Sequence, residues 1–387
     1  MNKGIENYTS NSASYDLVCL SHLRWDFVYQ RPQHLLSRFA RRHRVFFVEE
    51  PIFHDGETHL DISPREDNLF VVVPRISHTN RETRIVTDVQ REMLAELFNS
   101  ETIENFALWF YTPMAMDFAA DLQPSVTIFD CMDELSAFKF APPELIANEK
   151  SLLEKADLVF TGGQSLYEAK KGKHPRVFAF PSSIDAAHFE QARNIEEEEP
   201  RDQQSIAHPR LGYYGVIDER IDLALLDGVA SLRPEWQFMM VGPVVKISED
   251  DLPRRANIHY LGGKTYQELP AYLAGWDVAL MPFALNDSTK YISPTKTPEY
   301  LAAGKPVVST PIRDVVRPYG ELGLVHIAET ALEFIAACEQ ALQENAEERL
   351  KQADEFLSQN SWDKTWSQMA NLIDETIAPQ GMKLAKA

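Results

Sequence analysis

The sequence predicts an α/β protein of two doubly wound parallel-sheet domains facing a central cleft. Three observations carry this. Short apolar, β-branched runs alternate with longer amphipathic stretches along the chain, the pattern of parallel strands covered by helices. The alternation breaks once, near the middle, at the acidic run IEEEEPRDQQ (195–204). It then resumes with the same grammar and continues toward the C-terminus.

In the first half the apolar runs place strands at 15–21 (YDLVCLS), 44–49 (RVFFVE), 69–74, 107–111, 126–130, 156–161 and 177–181. Amphipathic stretches place helices at 32–42, 86–99, 142–154 and 164–171. The acidic run has nothing to bury and reads as a solvated linker where a domain boundary is expected. Beyond it, strands are expected at 210–215, 237–241, 257–260, 278–281, 306–309 and 324–327, with one long helical stretch at 331–357. The last segment, 361–377, carries Trp362, Trp366, Met369, Leu372 and Ile373 as an apolar stripe that needs a partner. The resulting division is a polar tail (1–14), a first domain (15–190), a linker (191–208), a second domain (209–360) and a final helix (361–378).

Composition narrows the function. The chain has 387 residues and a formal charge of −20, which disfavours nucleic acid because phosphate binding needs a basic face. The three cysteines, Cys19, Cys131 and Cys338, are far apart and suggest neither a zinc site nor a disulfide framework, so a reduced cytoplasm fits. No apolar run of membrane-spanning length occurs, and 1–14 lack the apolar centre of a signal peptide.

The richest stretch is SPTKTPEYLAAGKPVVST (293–310). It reads as a loop, a helix start, a short helix, a glycine stop and a buried strand. Either Thr297 caps with Pro298 at the first helical position, or Ser293 caps with Pro294 there. In both cases unpaired N–H groups and Lys296 favour an anion, with Glu299 one turn on. A diphosphate would take Lys296 and the amides near Thr295, and the carboxylate would take sugar or ribose hydroxyls.

This segment resembles the donor-binding motif of GT-B-fold glycosyltransferases, especially the large retaining family 4. The same holds for LGYYGVIDERIDLALL (211–226), WQFMMVGPV (236–244) and NIHYLGGKTYQELPAYLAGWDVALMPF (257–283). In the first half, LRWDFVYQRPQHLLSRFARRHRVFFVEEP (23–51) and FDCMDELSAF (129–138) look like a bacterial envelope-polysaccharide subgroup. The resemblance implies two Rossmann-like domains and a C-terminal helix crossing back to the first. It implies metal-independent transfer from a UDP or GDP sugar, with no bound cofactor, to a saccharide or lipid-linked acceptor. The donor set would be Gly215, Arg220, Gly242, Ser293, Thr295, Lys296, Thr297 and Glu299. The family's first glutamate would fall at Tyr291, and Val216 stands where an arginine is usual. A sugar-nucleotide epimerase and a non-catalytic nucleotide-sugar-binding scaffold share the same motif.

In doubly wound sheets the ligand crevice lies at the carboxyl ends of the strands. His22, Arg24, Trp25, Asp26, Tyr29 and Arg31, after the first strand, are therefore acceptor candidates. Asp130 and Asp133, at the end of a later strand, are candidates to take the acceptor hydroxyl's proton, beside Lys296 on the leaving diphosphate. The helix 32–42 sets Leu35, Leu36 and Phe39 against Arg38, Arg41, Arg42 and Arg44, which suggests either a core-facing helix or a peripheral contact with the inner face of the plasma membrane.

Overall fold

Two largely parallel sheets with covering helices make up the computed structural model, which describes residues 15–194 and 199–378. The tail 1–14 lies outside the described residues. The first sheet contains β1 (Asp16–Leu20), β2 (Val45–Val48), β3 (Ile52–His54), β4 (His59–Glu66), β5 (Leu69–Ser77), β6 (Phe106–Phe110), β7 (Val126–Cys131), β8 (Leu158–Thr161) and β9 (Val177–Ala179). Its order is β3-β5-β2-β1-β6-β7-β8-β9, with β4 antiparallel to β5. The second contains β10 (Arg210–Tyr214), β11 (Gln237–Val241), β12 (Ile258–Gly262), β13 (Val278–Met281), β14 (Val307–Ser309) and β15 (His326–Ile327), all parallel, in the order β12-β11-β10-β13-β14-β15.

The central strands read as unbroken apolar runs because both faces are covered. In β1, Leu17 and Cys19 enter one core with Phe47 and Trp109, while Val18 and Leu20 enter the opposite core with Phe46 and Leu108. The second domain has its own core around Leu211, Phe238, Leu280 and Val308. The sheet was less legible at β3 and β4. The β4 sequence HLDISPRE is half-exposed and polar, as an edge strand is, and gives no apolar run.

The final helix, Trp362–Ile377, crosses back as the sequence implied. Ser361 caps it through the Lys364 N–H, and Trp362, Met369, Ala370 and Ile373 bury into the first-domain core. It lies over the helix Arg31–Phe39, whose Leu35, Leu36 and Phe39 are buried beneath. The arginines read as a membrane face are engaged within the chain. Arg38 and Arg41 pair with Asp363 at 3.1 and 3.0 Å, Arg44 pairs with Asp16, and Arg42 lies over Trp366.

Two expectations change. The stretch 331–357 is two helices, Ala331–Gln343 and Ala346–Leu357, because the Asn345 side chain accepts the Glu347 and Glu348 N–H groups and starts a second helix. Of the acidic run, 195–198 lie outside the described residues. The rest folds onto the second domain: Gln203 is buried and accepts the Trp276 indole N–H, Glu199 pairs with Arg210, and Asp202 with Lys264.

Candidate functional site

The two domains enclose a cavity of about 660 Å³ at the carboxyl ends of their strands. Its second-domain wall is built by close backbone approach. Gly215, after β10, has φ +131°, and Gly242, after β11, has φ +147°. A Cβ on Gly242 would lie 1.9 Å from the Gly215 carbonyl oxygen, and one on Gly215 would lie 2.4 Å from Lys296 Cε. Both glycines are therefore required for conformation, and Gly242 also for space, because its neighbour is backbone.

Lys296 is the first residue of the helix Lys296–Ala302. Its ammonium lies 5.5 and 6.0 Å from the rings of Tyr213 and Tyr214 and, among the described residues, forms no ion pair. Burial lowers its pKa to about 8, with Glu299 opposing and Arg220 adding to the fall. Glu299, one turn on, accepts the Tyr214 hydroxyl, and burial raises its pKa to about 7 against that bond and the Lys296 charge. The helix begins at neither expected cap. Thr295 is the N-cap, without a side-chain bond, and Pro298 sits inside the first turn, where its missing N–H costs nothing.

Gly215, Arg220, Gly242, Ser293, Thr295, Lys296 and Glu299 all line the cavity; Thr297 does not. It is fully buried, with its hydroxyl toward Met281 Sδ at 3.4 Å, because the second helical position turns away from the cleft. Arg220 reaches the cavity but is doubly bonded to the buried Asp218, at 2.9 and 2.8 Å, which offsets its charge.

On the first-domain wall the two aspartates separate. Asp130 is fully buried and holds Arg31 through two bonds, at 3.0 and 2.9 Å, while Arg31 also donates to the Phe180 carbonyl. This pair is internal to the domain. Asp130 does not reach the cavity, which corrects the expectation of a base there, whereas Arg31, though paired, lines the cavity. Asp133 does line the cavity; burial raises its pKa, with Arg220 across the cleft opposing.

Trp25, Asp26, Tyr29 and Arg31 line the cavity, whereas His22 and Arg24 do not. Trp25 is largely buried, edge-on to Phe47, with its N–H on Glu49. Arg24 pairs with Glu49, and Asp26 with Arg65. His22 is held neutral, its pKa lowered to about 4 by burial. Tyr29 stacks across the cleft on Tyr266, centroids 4.4 Å apart. Sequence reasoning missed Tyr214 and Tyr266, which touch named residues only through the fold, and Asp218, which bonds Arg220 two residues away. Among the described residues no cluster of three or more His, Cys, Asp or Glu is placed to hold a metal.

Residues 208–344 match the family model of group 1 glycosyl transferases. A stretch of 146 residues is 31% identical to the Bacillus subtilis (strain 168) protein named "Putative teichuronic acid biosynthesis glycosyltransferase TuaH", covering 37% of this chain and 37% of that protein's length. Solved structures resemble nearly the whole chain. A trehalose-6-phosphate protein from E. coli bound with UDP-2-fluoro glucose aligns with TM-score 0.67 at 13% identity, over 93% of this chain and 99% of its own. A UDP-forming trehalose-phosphate synthase from Burkholderia xenovorans gives 0.68 at 12% identity, over 95% and 100%. The sucrose-phosphate synthase of Thermosynechococcus elongatus gives 0.65 at 14%, over 93% and 98%. The fold is thus GT-B.

Proposed function

We propose that this chain is a glycosyltransferase that moves a sugar from a nucleoside-diphosphate sugar, of the uridine or guanosine type, to a saccharide or lipid-linked saccharide in envelope polysaccharide synthesis. The carrying observation is Lys296, a desolvated ammonium without a carboxylate partner among the described residues, aimed into the cavity beside Glu299. A buried charge left in this state is costly unless an anion joins it. A diphosphate would supply that anion, with the first helix amides and Arg220 assisting. Glu299 would then accept ribose hydroxyls. The match of residues 208–344 to a glycosyl transferase family supports the same reading.

Transfer breaks the bond between the anomeric carbon and the diphosphate oxygen and forms one from that carbon to the acceptor oxygen. Lys296 stabilises the charge growing on the leaving diphosphate. Asp133, on the opposite wall, accepts the proton of the acceptor hydroxyl. Retention of anomeric configuration, in which the acceptor oxygen enters on the same face of the sugar that the diphosphate leaves, and independence of metal belong to the same proposal. NMR of the product's anomeric proton and turnover in EDTA test these two points.

The direct test is calorimetric titration with UDP, GDP and their sugar conjugates. One nucleotide should bind wild type, and Lys296→Ala and Glu299→Ala should each remove the binding. Wild type that binds none at millimolar concentration sinks the proposal. Tyr291, where the family's first glutamate is expected, packs against the first-domain core instead. This favours a second reading, a nucleotide-sugar-binding scaffold, which binding without turnover across an acceptor panel would select.

A further inference from the structure

A second set of contacts crosses between the domains at the edge of the cavity, which Gly162, Ser182 and Ser293 help to line. After β8, the turn Gly162–Gly163 leads into the helix Gln164–Lys170. From the second domain, Asp314, in the short helix Arg313–Val315 that follows β14, lies against this turn. Its carboxylate accepts the Ser165 N–H at 3.0 and 3.3 Å and also the Ser165 hydroxyl. Beside it, the Ser182 hydroxyl donates to the carbonyl of Ser293 at 2.8 Å.

The turn has no spare room on either side. A Cβ on Gly163 would lie 2.3 Å from Asp314 Oδ2 and 2.7 Å from Ser293 Cβ. The backbone of Gly163 is extended, at φ −168°, so glycine is needed here for space and not for conformation. On the other side, a Cβ on Gly162 would lie 2.7 Å from the Met132 carbonyl oxygen, and the Gly162 N–H donates to Cys131 O at 2.9 Å. Two adjacent glycines thus touch both halves of the candidate site: Met132, which precedes Asp133, and Ser293, which opens the Lys296–Glu299 segment.

From this we infer that Asp314 is a positioning residue: by holding Ser165, it seats the Gly162–Gly163 turn as the spacer that sets Asp133 opposite Lys296 when the cleft is closed. The inference rests on the donor and acceptor assignments proposed above. Opening the cleft returns the carboxylate and the Ser165 groups to water, so the exchange is close to balanced and the contact can break and re-form in each cycle.

The test compares Asp314→Ala, Asp314→Asn and Gly163→Ala with wild type, all in the full chain. UDP affinity is measured by calorimetry, radius of gyration by X-ray scattering with and without UDP, and turnover by UDP release from UDP-glucose. Gly163→Ala inserts a methyl wedge without changing any charge. Asp314→Asn keeps one oxygen for the Ser165 N–H. The expected result is UDP affinity within about threefold of wild type, a larger radius of gyration for the alanine variants, and turnover lowered about tenfold or more, with asparagine intermediate. Unchanged radius and turnover in both alanine variants would overturn the inference. So would a loss of UDP binding and turnover together with a lowered melting temperature, which marks a purely structural role. If wild type itself neither binds nor turns over UDP-glucose, the same measurements are made with GDP-glucose, and failure with both puts the donor assignment at fault. The radius of the ligand-free variants still decides whether Asp314 and Gly163 hold the domains together.

Discussion

Burial brings the pKa of Lys296 down to about 8 and that of Glu299 up to about 7, so the proposed donor site should respond to pH near neutrality. If the proposed donor site is right, diphosphate binding uses the ammonium and should weaken as pH rises through about 8, while ribose binding uses the carboxylate and should weaken as pH falls through about 7. UDP affinity measured by calorimetry should therefore peak between these values, and Lys296→Arg should remove the alkaline fall, because a guanidinium stays protonated. The same burial is a cost to the empty protein. The folded pKa of Glu299 lies above its ordinary value of 4.5, so the native state favours the neutral acid. Stability from this group is present below pH 4.5 and is lost as pH rises toward 7. Glu299→Gln should accordingly raise the melting temperature of the ligand-free protein at pH 8, by an amount on the order of a few kcal/mol in stability, and change little at pH 5. UDP binding should fall in the same variant. The two aspartates make a contrasting pair. Asp130→Asn leaves Arg31 buried beside a neutral partner and should cost about 3–5 kcal/mol in urea denaturation. Asp133→Asn should leave stability within about 0.5 kcal/mol and lower turnover by roughly a hundredfold or more.

At the scale of elements, the proposed donor site is built from two turns and one short helix. The glycine turns after β10 and β11 lie back to back, and no side chain fits between them. Gly242→Ala forces both a positive φ and a contact at 1.9 Å on backbone that cannot yield. It should cost several kcal/mol by urea denaturation and abolish UDP binding in whatever folds. These elements were legible because their signals are local. Lys296, Glu299 and the glycines lie within a few residues of a strand end or helix start. The roles that were misread depend on partners far along the chain. The side chain at Asp130 is spent on Arg31, 99 residues away, and no periodicity reports that pairing. The contact of Asp314 with Ser165, across 149 residues, likewise had no signal in the sequence. Thr297 was misplaced by a small register error: starting the helix at Lys296 turns its second residue inward. Local grammar also predicted one helix over 331–357, because Glu344 and Asn345 are tolerated inside amphipathic stretches until a capping geometry is seen.

For the whole molecule, the question is what makes two separately cored domains behave as one. Their apolar cores are distinct, and the covalent ties are the segment leading into the second sheet and the returning C-terminal helix. That helix belongs to the second half of the sequence but buries Trp362, Met369 and Ile373 in the first-domain core, with the Trp362 N–H on Ile184 O at 3.3 Å. His34 stacks on Trp362 and also meets Tyr266 edge-on, so the helix, the acceptor side and the donor side share one aromatic column. Trp362→Ala removes the member common to helix and column. It should cost about 3–5 kcal/mol, with the loss concentrated in the first domain. Wild type should unfold in scanning calorimetry as one coupled transition, which UDP raises as a unit. In Trp362→Ala the first domain should melt earlier and separately, and UDP should raise only the later transition, because the proposed donor site lies in the second domain. A single transition in the variant, displaced as a whole and still raised as a whole by UDP, would mean that the coupling resides in the cleft contacts and not in the returning helix.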